Sequence, residues 1–142
     1  MKATFNPQRA LAAKRALAER LTNIALLYVP EGYRIAYRKS LSGRCDMDKK
    51  LIQAPKPITR KALYIFLHEC GHANLHDGKR LKRHVEEMQA EQFAHEKMRE
   101  HGIAIPRAMT KRAKQYVTRK ITQAQRRGAK RIDPTAKKFA SS

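Results

Sequence analysis

Tryptophan is missing from this chain, cysteine occurs twice, and acidic residues number 12 against 32 lysines and arginines. Each shortage excludes something. Two cysteines, Cys45 and Cys70, cannot build a disulfide framework, and nothing in the sequence suggests export, so a reducing cytoplasm is the expected compartment. No uninterrupted apolar run reaches the length that crosses a bilayer. A membrane-surface helix is disfavoured as well, because the basic helix near the carboxy terminus has few large apolar side chains and no tryptophan. The scarcity of acids leaves a formal net charge of +20 on 142 residues. So unbalanced a chain repels itself unless a polyanion neutralises it, which makes nucleic acid the first partner to consider. The length suits one domain with a genuine core.

Against that background one stretch stands out, His68-Glu69-Cys70-Gly71-His72. Thr59 is a suitable N-cap, residues 60–76 contain no proline, and Gly78 follows as a stop, so the segment is expected to be helical. The run Ala62-Leu63-Tyr64-Ile65-Phe66-Leu67 is apolar all round, as in a helix buried in the core. On such a helix residues four apart share a face, so His68 and His72 can hold one zinc ion while Glu69 acts on a water at the metal. Cys70 points away from that face and reads as a small buried hydrophobe.

Catalytic zinc usually takes three protein ligands. A second helical pattern, from about Lys82 to His101, offers Glu87 and Glu91 on one face, with Ala90, Phe93 and Ala94 free to pack closely on the first helix. Glu87 supplies a ligand carboxylate, and Glu91, one turn later, a carboxylate able to orient a ligand histidine. Glu86 is turned about 100° from Glu87, so only one of the two can face the metal. The other histidines read differently: His76 as a cation at a helix C-terminus, His84 as the reserve ligand or oxyanion donor, and His95 and His101 as surface or helix-end residues.

HECGHANLH followed by EExxAExFA resembles the ImmA/IrrE-like zinc metallopeptidases, a gluzincin-type family with HELGHxxLH and ExxANxFA patterns, over residues 33–94. The resemblance implies that His68, His72 and Glu87 are the zinc ligands, that Glu69 is the general base, and that Glu91 occupies the family's Asn/Asp position. It also implies a regulatory peptidase, since members of that family cleave DNA-bound helix-turn-helix repressors.

Elsewhere, Asn6-Pro7 opens an amino-terminal helix as N-cap and first residue, and Pro30 with Gly32 ends it. Between Tyr33 and Ala54 alternating segments separated by turns suggest a small, largely antiparallel sheet, whose edge could align an extended substrate. Pro106 opens a further helix over residues 107–127. Its narrow apolar stripe of Met109, Ala113, Tyr116, Val117, Ile121 and Ala124 leaves the other faces to Lys111, Arg112, Lys114, Arg119, Lys120, Arg126 and Arg127, candidate nucleic-acid contacts. Residues 107–138 hold twelve basic residues and one acid, Asp133, whereas solvated faces normally mix signs. Residues 128–142 read as a basic, poorly ordered tail.

The expected architecture is α+β: one domain over residues 1–127, with a small, mostly antiparallel sheet packed on a helix bundle containing the HExxH helix, and a basic C-terminal helix. The expected function is zinc-dependent hydrolysis of peptide bonds in a protein substrate, with a DNA-associated regulator as the substrate the resemblance implies. The rival is a nucleic-acid-binding protein whose zinc is structural or catalytically silent. Tyr37, Tyr64, Tyr116 and His84 are the candidate oxyanion donors.

Overall fold

The computed structural model describes residues 4–141, which form α1 (Pro7–Leu26), β1 (Arg34–Arg38), β2 (Arg44–Asp46), β3 (Leu51–Pro55), α2 (Arg60–His76), α3 (Arg83–Glu100), α4 (Arg107–Arg126) and α5 (Pro134–Ser141). The fold is α+β. Both expected N-caps are in place. The Asn6 side chain accepts from the Gln8 and Arg9 amides, and Thr59 Oγ1 accepts from that of Ala62, satisfying donors that the first helical turn leaves unpaired.

Helix α2 is the centre of the molecule. It packs against α1, α3, β2 and β3, and Leu63, Phe66, Leu67 and Cys70 are completely buried. Leu21 and Ala25 cover it from α1, Ile52 and Ala54 from β3, and Ala94 and Met98 from α3. Only the carboxy-terminal part of α1 takes part, for residues 4–17 are all exposed.

The sheet is mixed rather than mostly antiparallel. Its order is β1-β3-β2, with β1 parallel to β3 and β2 antiparallel to it. The reason lies in burial. β3 carries Ile52 and Ala54, the two fully buried residues of the sheet, so it takes the central place and β1 and β2 become its edges. The β2–β3 hairpin turns through Lys50 in the left-handed region (φ 52°), with Asp46 Oδ1 accepting the Lys49 amide. To reach the far edge after β1, residues 39–43 must cross the end of β3. That crossing brings Ser42 and Gly43 over α2.

The carboxy-terminal segment is not a disordered tail. Residues 134–141 form α5, which packs on α4 and α3. Ile132, Ala136, Phe139 and Ala140 close a second small core with Met88, Val117 and Ile121. Asp133 Oδ2 accepts the Ala136 amide at the helix start. Helix α4 buries Met109, Ala113, Val117 and Ile121 and is therefore an internal element, not the last one. No helix among the described residues is long and apolar enough to cross a membrane.

Candidate metal centre

Two rows of side chains at i, i+4 spacing face each other across the α2–α3 contact. Tyr64, His68, His72 and His76 form the row on α2; Arg83, Glu87, Glu91 and His95 form the row on α3, running the opposite way. The helices meet closely because Gly71 has no side chain: a Cβ there would lie 3.1 Å from Ala90 Cα and 3.1 Å from Phe93 Cβ. Between His68 and His72, glycine thus lets α3 approach near enough for its carboxylates to reach the imidazoles.

At the middle of the two rows His68 Nε2, His72 Nε2 and Glu87 Oε2 converge. The imidazole nitrogens are 3.2 Å apart, and Glu87 Oε2 is 3.2 Å from His68 Nε2 and 3.4 Å from His72 Nε2. Ligand atoms at the corners of a tetrahedral site with bonds of about 2.0–2.1 Å stand about 3.3 Å apart. The three separations match that edge. Glu87 Oε2 is also buried without an aligned hydrogen bond, an arrangement native interiors rarely leave in place without a role. The three residues could hold a metal ion.

Each of these two imidazoles is backed through its other nitrogen. His68 Nδ1 lies 2.8 Å from Glu91 Oε1, although the approach is off the line of a well-aligned hydrogen bond. The Tyr64 hydroxyl donates to the other Glu91 oxygen and stands 3.0 Å from His95 Nδ1. His72 Nδ1 lies 3.0 Å from His76 Nδ1, and His76 Nε2 meets Gln89 Oε1 at 2.9 Å. Such partners fix ring orientation and tautomer at metal sites. Arg83 Nη2 takes the remaining Glu87 oxygen at 3.1 Å.

Electrostatics follow from this geometry. Burial opposes charge on His68, but Glu87 and Glu91 outweigh it and hold the imidazole well above its usual range. Burial likewise opposes ionisation of Glu87, and the two histidines overcome it, keeping the carboxyl far below its usual value. Glu69 behaves in the opposite way. Its burial, reinforced by Glu87 and Glu91, raises the carboxyl to about 7 against the lowering pull of His68 and Arg38. Glu69 is packed under the crossing loop, where a Cβ on Gly43 would fall 2.5 Å from Oε2.

Two cavities share His68, Glu69 and Tyr116 in their walls. One, of about 150 Å³, has Ile65, Met109 and Ala113 in its wall and Arg112 beside them. The other, of about 260 Å³, runs along Arg44, Cys45 and Met47 from the edge strand β2 to Arg83. Tyr116 lines both, its ring centroid 6.4 Å from that of His68, and burial first, then Glu87, raises its phenol.

Several residues stand elsewhere than the sequence suggested. His76 is fully buried, and burial lowers its pKa; it supports His72 instead of acting as a cation at the helix end. It also lies with His72 and Glu86 in a second grouping able to hold a metal, but both of its nitrogens already have partners, and Glu86 turns to the Leu81 amide and Arg83. His84 Nε2 accepts the Asp133 amide at 3.1 Å, which ties α5 down and removes His84 from the site. His95 is buried and bonded to the Glu91 carbonyl and the Thr110 hydroxyl, not a surface residue. His101 does stand at a helix end, as expected, capping α3 and meeting the Tyr28 hydroxyl at 2.6 Å. Tyr64 spends its hydroxyl on Glu91, and Tyr37 is half-exposed on β1, which leaves Tyr116 as the candidate donor lining the cleft.

On α4, Lys111, Arg112, Arg119, Arg126 and Arg127 are exposed, whereas Lys114 and Lys120 are half-buried. Arg119 and Lys120 lie over the Tyr116 ring at 5.9 and 5.3 Å. Arg83, Gly43 and His76 were not among the expected site residues; Arg83 and His76 stand four residues from Glu87 and His72, a spacing that marks a shared helix face but not a role. No family model, curated protein or solved structure matches this chain.

Proposed function

We propose that the protein is a zinc-dependent peptidase in which His68, His72 and Glu87 hold the metal and Glu69 is the general base. The observation that carries this reading is the convergence of two imidazole nitrogens and one carboxylate oxygen at 3.2–3.4 Å, beside a buried glutamate in an open cleft. Two histidines and a glutamate are a donor set that leaves zinc a free position, as catalysis requires. Zinc bound there would supply Lewis acidity toward a scissile carbonyl.

The side chains do the rest. With a carboxyl brought to about 7, Glu69 takes a proton from the attacking water and gives it to the leaving amine as the C–N bond breaks. Tyr116 offers its hydroxyl to the oxygen on which negative charge develops. Strand β2, an edge of the sheet beside the cleft, can align an extended peptide by backbone pairing. The ImmA/IrrE-like motif resemblance supports the same reading.

Metal analysis and cleavage together test it. His68→Ala, His72→Ala and Glu87→Ala should each lose most bound zinc, while Glu69→Gln should keep it and lose cleavage of a protein substrate. Full zinc occupancy in Glu87→Ala would sink the ligand set. Equal cleavage by wild type and Glu69→Gln would remove the catalytic assignment and favour the rival, a nucleic-acid-binding protein with a silent metal.

A second activity is favoured by the surface of α4, where no acid occurs between Glu100 and Asp133. We propose that Lys111, Arg119, Arg126 and Arg127 contact phosphates and bring the peptidase to proteins on nucleic acid. With about four phosphate contacts, log affinity for duplex DNA falls against log salt with a slope near −3.6. Reversing Lys111, Arg119, Arg126 and Arg127 to Glu should flatten that slope, whereas Glu69→Gln should not. An unchanged slope would place the polyanion contact elsewhere.

A further inference from the structure

Three elements contribute an arginine to the lining of the cleft: Arg44 from β2, Arg83 from the start of α3 and Arg112 from α4. The carboxylates that share the cleft, Glu69, Glu87 and Glu91, sit inward. Glu87 faces both ligand histidines and Arg83, and Glu91 has one oxygen toward His68 and the other on the Tyr64 hydroxyl. Glu69 is held under Gly43. Arg83 is committed to Glu87 and Glu86, whereas Arg44 and Arg112 are exposed.

The smaller cavity combines two features that together describe a ligand. Ile65, Met109 and Ala113 give its wall an apolar part, and Arg112, an exposed residue, also lines it. Among the described residues the Arg112 guanidinium makes one long hydrogen bond, 3.4 Å to the Leu41 carbonyl, which leaves most of its five N–H donors for a partner. A short aliphatic stem ending in a carboxylate satisfies both: methylenes against the apolar wall and a bidentate pair with the guanidinium. A lysine side chain would meet the arginine head-on, and a leucine would leave it unpaired.

We propose that this cavity is a specificity pocket for an acidic side chain, of glutamate length, next to the bond that the metal centre cleaves, with Arg112 as the carboxylate-binding residue. The inference rests on the peptidase reading, and the test keeps the two apart.

Metal-loaded protein is titrated calorimetrically with acetohydroxamate, which reports the metal alone. It is then titrated with two amino-acid hydroxamate series that carry a Glu, Gln, Leu or Lys side chain on one or the other flank of the chelating group. The glutamate ligand of one series should bind about five- to tenfold more tightly than its glutamine isostere, as expected for a charge-assisted pair at a partly exposed site. That ratio should fall to near one in Arg112→Met and recover in part in Arg112→Lys, with zinc content equal in all three proteins.

Failure of acetohydroxamate to bind would defeat the metal centre itself and the pocket with it. Binding of acetohydroxamate without a glutamate preference in either series would overturn the pocket alone. So would a preference for lysine, which would make Glu69 and Glu91 the selecting groups. A duplex oligonucleotide whose affinity depends on Arg112, in the absence of any glutamate preference, would reassign that residue to a nucleic-acid surface and overturn the pocket too.

Discussion

Gly43 offers a way to move the proposed base without touching a ligand. Alanine at this position would place its Cβ 2.5 Å from Glu69 Oε2, 2.8 Å from Cγ and 3.0 Å from Cδ. Relieving the shortest of these to an ordinary 3.4 Å contact requires a shift of about 0.9 Å. Glu69 is only 6% exposed, so the whole carboxylate has to be displaced within a packed site. Misplacing a reacting group by about 1 Å costs about 100-fold in rate, or about 2.7 kcal/mol of barrier. Gly43→Ala should therefore cut kcat about 100-fold while zinc content stays at the wild-type level, since His68, His72 and Glu87 are not contacted. Initial rates and metal analysis on Gly43→Ala, Glu69→Gln and the double variant provide the assay. The double variant should be no slower than Glu69→Gln alone, because both changes act through one carboxylate. Wild-type turnover in Gly43→Ala, or additive losses in the double variant, would refute the reasoning.

Three other outcomes are expected. In the metal-free protein Glu69 binds its proton more tightly when folded, with a carboxyl raised by burial from 4.5 to about 7, so its contribution to stability falls as pH rises through that window. Glu69→Gln should then stabilise the metal-free fold by up to about 3 kcal/mol at pH 8 and by almost nothing at pH 4; urea unfolding in chelator checks this, and a pH-independent difference would refute it. Glu91→Gln should weaken zinc binding about 10- to 100-fold by loosening His68, read by competition with a chromophoric chelator, and undiminished affinity would show that Glu91 does not orient the ligand. Deleting residues 129–142 should cost about 2–4 kcal/mol by uncovering Val117, Ile121 and Met88, and an unchanged urea midpoint would mean that α5 contributes no packing.

The fold was legible where local chemistry decides it. Asn6-Pro7 and Thr59 capped their helices as the sequence indicated, because an N-cap is a matter of two or three residues. Strand order was not legible. Alternation over Tyr33–Tyr37 and around Leu51 marks strands, but their sequence along the chain favours a meander, and only the competition for burial puts β3 in the centre. The tail was misread for a different reason. Asp133-Pro134 carries the same cap-then-proline signature as Asn6-Pro7, and Ala136, Phe139 and Ala140 supply a helical stripe. The basic residues around them give the segment the composition of a solvated terminus, which hides that stripe.

The candidate metal centre shows how far a motif reaches. HExxH and the downstream glutamates mark four positions, 68, 72, 87 and 91, each pair one helical turn apart. The structure extends both rows by one turn at each end, to Tyr64 and His76 on α2 and to Arg83 and His95 on α3. The spacing was present in the sequence, but spacing alone gives no reason to treat a fourth-residue tyrosine or histidine as part of a site. That reason comes from the second helix. Only once Gly71 lets α3 pack within contact distance, in antiparallel register, does Tyr64 meet Glu91 and His76 meet Gln89. A histidine read singly at a helix end is a surface cation; the same histidine in a facing row is buried, neutralised and committed to a neighbour. Pairing the two helices before assigning any single residue would have recovered His76, His95 and Arg83 together. It would not have found Gly43, which reaches Glu69 only because a loop must cross β3 to complete a mixed sheet.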